Sequence, residues 1–174
     1  MKILSPELYS SSCIKKLERP ILTKDDIPYD ATLIFNAGVA KYNGQYVMVF
    51  RNDYGFDEDN FAHDLVRTSL GVAVSDDGVN WRVRGSTLFD SKDLPSDSEI
   101  KRLYDPRITV IDGELYLCLA MDTRHGIRGC IARVIGDFEG IDIISASAPD
   151  NRNMVLFPER INGKYVRLER PFTV

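Results

Sequence analysis

Apolar residues along the chain fall in short runs with a two-residue alternation, each run closed by Gly, Pro, Asn or Asp. That is the pattern of β-strands joined by tight turns. Thr32–Phe35 and Gly38–Tyr42 lead into Asn43-Gly44, a type I′ turn signal, and Gln45–Arg51 returns from it, which predicts a hairpin. Leu70–Ser75 runs into Asp76-Asp77-Gly78, and Trp81–Arg84 comes back, with the tryptophan covering the corner. Ile108–Ile111, Asp112-Gly113 and Glu114–Ala120 make a third hairpin, and Arg128–Val134 a further strand. Val155–Phe157 and Arg160-Ile161, then Asn162-Gly163 and Lys164–Leu168, make a fourth. Helical signal is confined to Asp57–Ser69, where the apolar spacing is poor.

Three of the hairpins share one local pattern, an Asn-Gly or Asp-Gly turn just before a strand that carries an aromatic residue. The turn glycines Gly44, Gly113 and Gly163 are spaced 69 and then 50 residues apart, roughly the size of one four-stranded antiparallel unit with its loops. Repeated units of this size favour propeller blades around a channel. A β-sandwich is the alternative that periodicity leaves open.

Composition narrows the function classes. The 174 residues are 44% hydrophobic and 28% charged, the balance of one folded domain. A net charge of -4 argues against a general nucleic-acid or anionic-membrane binder, though a local basic pocket remains compatible with it. No apolar run approaches the roughly 18 residues of a membrane span. Met1–Cys13 lacks a continuous apolar stretch, so no secretory signal is expected. Cys13, Cys118 and Cys130 are odd in number and widely spaced. They read as buried thiols in a reducing, cytoplasmic setting.

Candidate chemistry sits at a few polar clusters. In Tyr104-Asp105-Pro106-Arg107, Pro106 keeps Asp105 out of the right-handed helical region, so the carboxylate is held rigidly at a strand entrance. Such a group suits a general acid, or it forms a structural ion pair with Arg107. Arg152 and Arg170 flank the fourth hairpin, and their guanidinium forks would bind an oxyanion if both reach the channel; solvated surface positions are the alternative. Asn36, Arg51, Asp53 and Arg124-His125 lie at strand ends, where one mouth of a propeller would gather groups for sugar hydroxyls. His63 and His125, the only histidines, lack metal-ligand spacing, and no phosphate-binding or dinucleotide glycine motif occurs.

Phe35-Asn36, Val49–Arg51, Gly71–Trp81, Tyr104–Arg107, Asn151–Pro158 and Gly163–Pro171, taken in this order, resemble glycoside hydrolase family 130, the β-mannoside phosphorylases. The likeness runs from about Pro20 to the last residue. It implies an all-β, five-bladed β-propeller, of which residues 1–174 would supply one N-terminal portion of roughly two to three blades. It also implies inverting phosphorolysis of a β-mannoside, a manno-oligosaccharide or mannosyl-glucose, to α-mannose 1-phosphate. Inorganic phosphate would be the co-substrate, with no cofactor and no metal. Asp105 matches the family's single catalytic acid, whose proton is thought to reach the glycosidic oxygen through a mannose hydroxyl. Arg152 and Arg170 match its phosphate-binding arginines, and Asn36 a contact beside the phosphate. Arg51, Asp53, Tyr104 and His125 match the mannose subsite. A hydrolase of the same family and a non-catalytic sugar-binding or assembly module are the alternatives; retention of Arg152 and Arg170 favours phosphorolysis. Family members are about twice this length, so exposed sheet faces and an oligomer or a complementing chain are expected.

Overall fold

A computed structural model describes residues 17–56 and 66–172, and these are nearly all β. The first sheet is an antiparallel meander of β1 (Leu33–Tyr42), β2 (Gln45–Tyr54), β3 (Arg67–Ser75) and β4 (Arg82–Val83), with β5 (Phe89–Asp90) pairing along β3. A second meander follows: β6 (Ile100–Ile111), β7 (Glu114–Thr123), β8 (Gly126–Ile135) and β9 (Gly140–Ala146). The chain then starts a third sheet with β10 (Val155–Leu156) and β11 (Arg167–Leu168). Among the described residues the helical segments are single 3-10 turns, Lys24–Asp26 and Ser91–Asp93.

The three Asx-Gly turns form as the sequence predicts. Both residues of each turn take positive φ: 49° and 83° at Asn43-Gly44, 54° and 80° at Asp112-Gly113, 52° and 73° at Asn162-Gly163. Asn, Asp and Gly tolerate that conformation best, and its twist matches the flanking strands. The corner after β3 is also as expected. The Asp77 carboxylate accepts the backbone N–H groups of Asn80 and Val79 at 2.8 Å each, and these bonds hold it well below the usual carboxylate range. Trp81 closes the corner by donating its indole N–H to the Gly78 carbonyl at 3.2 Å.

Alternation along the strands sends side chains to two different layers. Val47 and Val49 of β2 join Leu70 and Val72 of β3 in the main core, against Leu115, Leu117 and Leu119 of β7 and Cys130 and Ala132 of β8. The two meanders therefore pack face to face. Met48, Phe50 and Ala73 point the other way and are covered by Leu22, Ile27 and Trp81. On the far side of the second sheet, Tyr116, Cys118 and Ile131 meet Met154 and Leu156 of the third. Cross-strand partners Val155 and Leu168 are 45% and 59% exposed, apolar residues beside the buried Leu156. Cys118 and Cys130 are buried thiols, and burial pushes the latter up to about 12; Cys13 and His63 lie outside the described residues.

Three expectations change. Asp105 is not at a strand entrance, because β6 begins at Ile100 and runs through it as a bulge between Tyr104 and Arg107. Pro106 has no N–H to give the ladder, so the pairing breaks locally and then resumes. Thr32–Phe35 and Gly38–Tyr42 are likewise largely one strand, β1, bulged between Phe35 and Gly38. The helix signal at Asp57–Ser69 lies mostly outside the described residues, and its end, from Arg67, is β3.

The two inner strands, β1 and β6, approach each other closely at Gly38. A Cβ there would lie 2.8 Å from the backbone nitrogen of Ile108, 2.9 Å from the Pro106 carbonyl oxygen and 3.1 Å from the Arg107 Cα. Backbone atoms on a paired strand have little room to give. Gly38→Ala is therefore expected to cost about 1–3 kcal/mol of stability by overpacking. Urea unfolding measures this, and a loss under about 0.5 kcal/mol, the range of an ordinary surface change, would show that the strands are free to separate.

Candidate active site

The site is built from two bulges at equivalent places in successive sheets. Asn36 precedes its turn residue Asn43 by the same seven positions that separate Asp105 from Asp112. Both bulged residues adopt left-handed backbone, φ 49° at Asn36 and 55° at Asp105. Only short polar side chains and glycine enter that region readily, which accounts for an Asx residue at each. The bulges turn the two side chains toward each other, and the Asn36 amide donates to Asp105 Oδ1 at 2.8 Å. The two residues are 69 positions apart, the spacing of the turns Gly44 and Gly113.

Arg51 Nη1 donates to the same Asp105 oxygen at 3.2 Å. Oδ2 has no protein partner among the described residues, and the Asp105 side chain stays 21% exposed. One oxygen is thus anchored by two donors, while the other is left for a proton or a ligand. The ion pair with Arg107 does not form, since Asp105 is paired with Arg51.

Arg51 and Asp53 lie beneath Asp105 and face each other. Arg51 Nε and Nη2 donate to the two Asp53 oxygens at 3.0 and 2.6 Å. The Arg51 guanidinium is packed against the Phe35 and Tyr104 rings, with centroids at 4.5 and 4.7 Å. Burial works against its charge, but the bonds and charges of Asp53 and then Asp105 more than offset that and raise it above the usual arginine value. Asp53 also accepts the Thr68 hydroxyl at 2.9 Å. Their side chains are 13% and 8% exposed, so they support Asp105 and do not offer free edges to a sugar. Tyr104 is similarly committed: its hydroxyl donates to Asp122 Oδ1 at 2.8 Å, and Arg102 holds the other Asp122 oxygen at 2.5 Å. Burial, then the bond to Asp122, pushes the Tyr104 hydroxyl up to about 12.

The backbones next to Arg152 and Arg170 are joined because Asn151 ties the two sides of the fourth hairpin; Arg152 is half-buried and Arg170 exposed. Asn151 is buried, bridges to Pro171, and accepts the Arg170 backbone N–H at 3.2 Å. The Arg152 guanidinium lies over the Phe172 ring at 5.4 Å and near the Tyr104 hydroxyl, and its buried Nε has no partner. Neither arginine pairs with a carboxylate among the described residues. A depression of about 360 Å³ is lined by Asn36, Ala37, Asp105, Pro106, Arg107 and Asn153. His125 is not part of it. It occupies the exposed β7–β8 turn, 3.7 Å from Glu99, beside the start of β6 and five residues short of Asp105, on the order of 15 Å away along the strand.

Asn153 and Arg107 also line the depression; sequence reasoning named Arg107 only as an ion-pair partner and assigned Asn153 no role. Asn153 lies just before the third sheet and, like Asn36 and Asp105, has left-handed backbone, φ 58°. It precedes its turn residue Asn162 by nine positions, not seven, so the repeat signal is out of step there.

Residues 14–174 match the family model described as β-1,4-mannooligosaccharide phosphorylase. The chain belongs to glycoside hydrolase family 130. It is 30% identical over 170 residues to the 1,2-β-oligomannan phosphorylase of Thermoanaerobacter sp. (strain X514), covering 91% of this chain and 54% of that protein. It is also 30% identical over 161 residues to the β-1,4-mannooligosaccharide phosphorylase of Ruminococcus albus, covering 87% and 44%. Among solved structures, the β-1,2-mannobiose phosphorylase of Listeria innocua in complex with β-1,2-mannobiose shares the fold, with a TM-score of 0.64 at 22% identity, over 80% of this chain and 51% of that one. The chain thus spans about half the length of these relatives.

Tyrosines with enclosed hydroxyls, Tyr104 at the site and Tyr29 and Tyr116 elsewhere in the fold, give the protein a pH signature. Tyr104, Tyr116 and Tyr29 are all raised from 10.0 to about 12. For Tyr104 and Tyr29 burial is the main cause; for Tyr116 the bond to Tyr165 comes first. The unfolded chain gives up these protons at lower pH than the folded one. Their contribution to stability is therefore complete below pH 10 and lost as pH rises toward 12. The urea midpoint is expected to fall steeply across that window, and less so in Tyr104→Phe. A flat midpoint would show that these hydroxyls are open to solvent.

Proposed function

We propose that this chain contributes the catalytic acid and the phosphate-binding half of a site for inverting phosphorolysis of β-mannosides. The observation that carries this reading is the pairing of one half-anchored carboxylate with two guanidinium groups that lack a carboxylate partner, Arg152 and Arg170. In a hydrolytic inversion a second carboxylate must activate water from the opposite face of the sugar. Phosphate needs no such base, because it arrives as an anion and is itself the nucleophile. Cationic forks held near the depression are what it requires.

In this reading Asp105 Oδ2 carries the proton that reaches the glycosidic oxygen, by way of a mannose hydroxyl. Arg51 and Asn36 hold the other oxygen and fix the carboxyl plane. Inversion then gives α-mannose 1-phosphate. The substrate is a β-linked manno-oligosaccharide or mannosyl-glucose, inorganic phosphate is the co-substrate, and the setting is cytoplasmic. The first two sheets, of five and four strands, and the start of a third are two to three blades of a five-bladed propeller. The exposed Val155–Leu168 face is where a further sheet stacks, from a longer polypeptide, a second copy or a complementing chain. Hydrolysis within the same family is the second reading; the uncompensated arginines disfavour it.

Initial rates test this directly. Asp105→Asn keeps the shape and is expected to lower phosphorolysis by about 10²–10⁴-fold. Arg152→Ala is expected to raise the KM for phosphate by roughly ten-fold or more, and that for the mannoside far less. Retention of more than about a tenth of turnover in the first variant, or equal losses toward both substrates in the second, would remove the assignment.

A further inference from the structure

Some arginines near the site are neutralised by a carboxylate, whereas Arg107, Arg152 and Arg170 have none among the described residues. Arg51 is held by Asp53, Arg102 by Asp122 and Arg167 by Glu169. Arg170 is held differently. With the Asn153 amide assigned the orientation that its donor and acceptor surroundings require, both terminal nitrogens of Arg170, Nη1 and Nη2, donate to the amide oxygen at 3.1 and 2.9 Å. Asn153 lines the depression together with Asn36 and Asp105, and its left-handed backbone turns the amide there.

An amide and a carboxylate of the same shape do different things to a guanidinium. A carboxylate fixes its direction and cancels its charge; an amide oxygen fixes its direction alone. We propose that Asn153 is a positioning residue that aims the Arg170 fork at the depression while leaving its charge uncompensated for phosphate. This rests on the phosphorolysis reading and sharpens it, since it says why an amide, and not a carboxylate, stands at this position. This third Asx residue with left-handed backbone thus has its own task. Asp105 is a candidate acid, Asn36 orients that acid, and Asn153 orients the anion's counter-charge.

The test uses two substitutions that both tolerate left-handed backbone. Asn153→Asp keeps the shape and both bonds to Arg170 but adds a negative charge. Asn153→Gly removes the anchor and adds none. The chain is titrated calorimetrically with inorganic phosphate at fixed ionic strength, chloride serving as the control anion, and Arg170→Ala is run beside it. Melting temperatures confirm that each variant is folded. Arg170→Ala and Asn153→Asp are both expected to weaken phosphate binding by roughly ten-fold or more, and Asn153→Gly by about three-fold. A structural anchor predicts the opposite order, with Asn153→Asp near wild type. That result, or a full-affinity Asn153→Gly, would overturn the positioning role while Arg170→Ala still weakens binding. Wild-type affinity in Arg170→Ala would instead retire the phosphate reading itself.

Discussion

The site depends on one hydrogen bond between equivalent positions of two successive sheets, the Asn36 amide on Asp105 Oδ1 at 2.8 Å. Residues 69 positions apart meet only where the inner strands of neighbouring units converge. That approach requires a backbone without a Cβ at Gly38 and a bulge in each strand to swing the side chains inward. Because both donors to Asp105, Asn36 and Arg51, come from the first sheet, the carboxylate is oriented by a neighbouring unit and not by its own strand. Face-to-face packing of the two meanders and the chemistry of the site are therefore the same constraint seen at two scales.

Charge compensation sorts the remaining polar groups. Arg51 and Asp53 consume each other between two aromatic rings, and Tyr104, Arg102 and Asp122 close a second such cluster. These groups are largely buried and satisfied, as structural charges must be. Arg107, Arg152 and Arg170 differ in having no carboxylate partner among the described residues. In the proposed reading phosphate is the anion that comes to Arg152 and Arg170, which are half-buried and exposed respectively and so remain open to it.

Much of this was legible in the residues. Asn-Gly and Asp-Gly turns fixed the hairpins, because few sequences tolerate two consecutive positive φ values. The turn spacing gave the repeat, and Asp105 and Asn36 meet in one depression, with Arg170 bonded to Asn153 on its lining. The strand β9 was missed because its preceding turn, through Gly136 and Phe138 at φ 55° and 60°, lacks the Asx-Gly signature. Asp105 was placed at a strand entrance because proline reads as a boundary, whereas a bulge lets the strand continue past it. Arg51, Asp53 and Tyr104 were read as sugar contacts because sequence shows which groups are polar but not which are already satisfied. His125 sits on an exposed turn because position along a strand, which sequence gives poorly, decides how near it lies to Asp105.

The most direct measurement follows phosphorus. The chain, together with the remainder of the propeller it is proposed to belong to, is incubated with a β-mannobiose and inorganic phosphate, and the products are identified by phosphorus NMR. The expected result is a new α-mannose 1-phosphate signal that grows with phosphate consumption and is absent when phosphate is withheld. Release of free mannose at the same rate with and without phosphate would contradict it, and the unpaired arginines would then need another ligand.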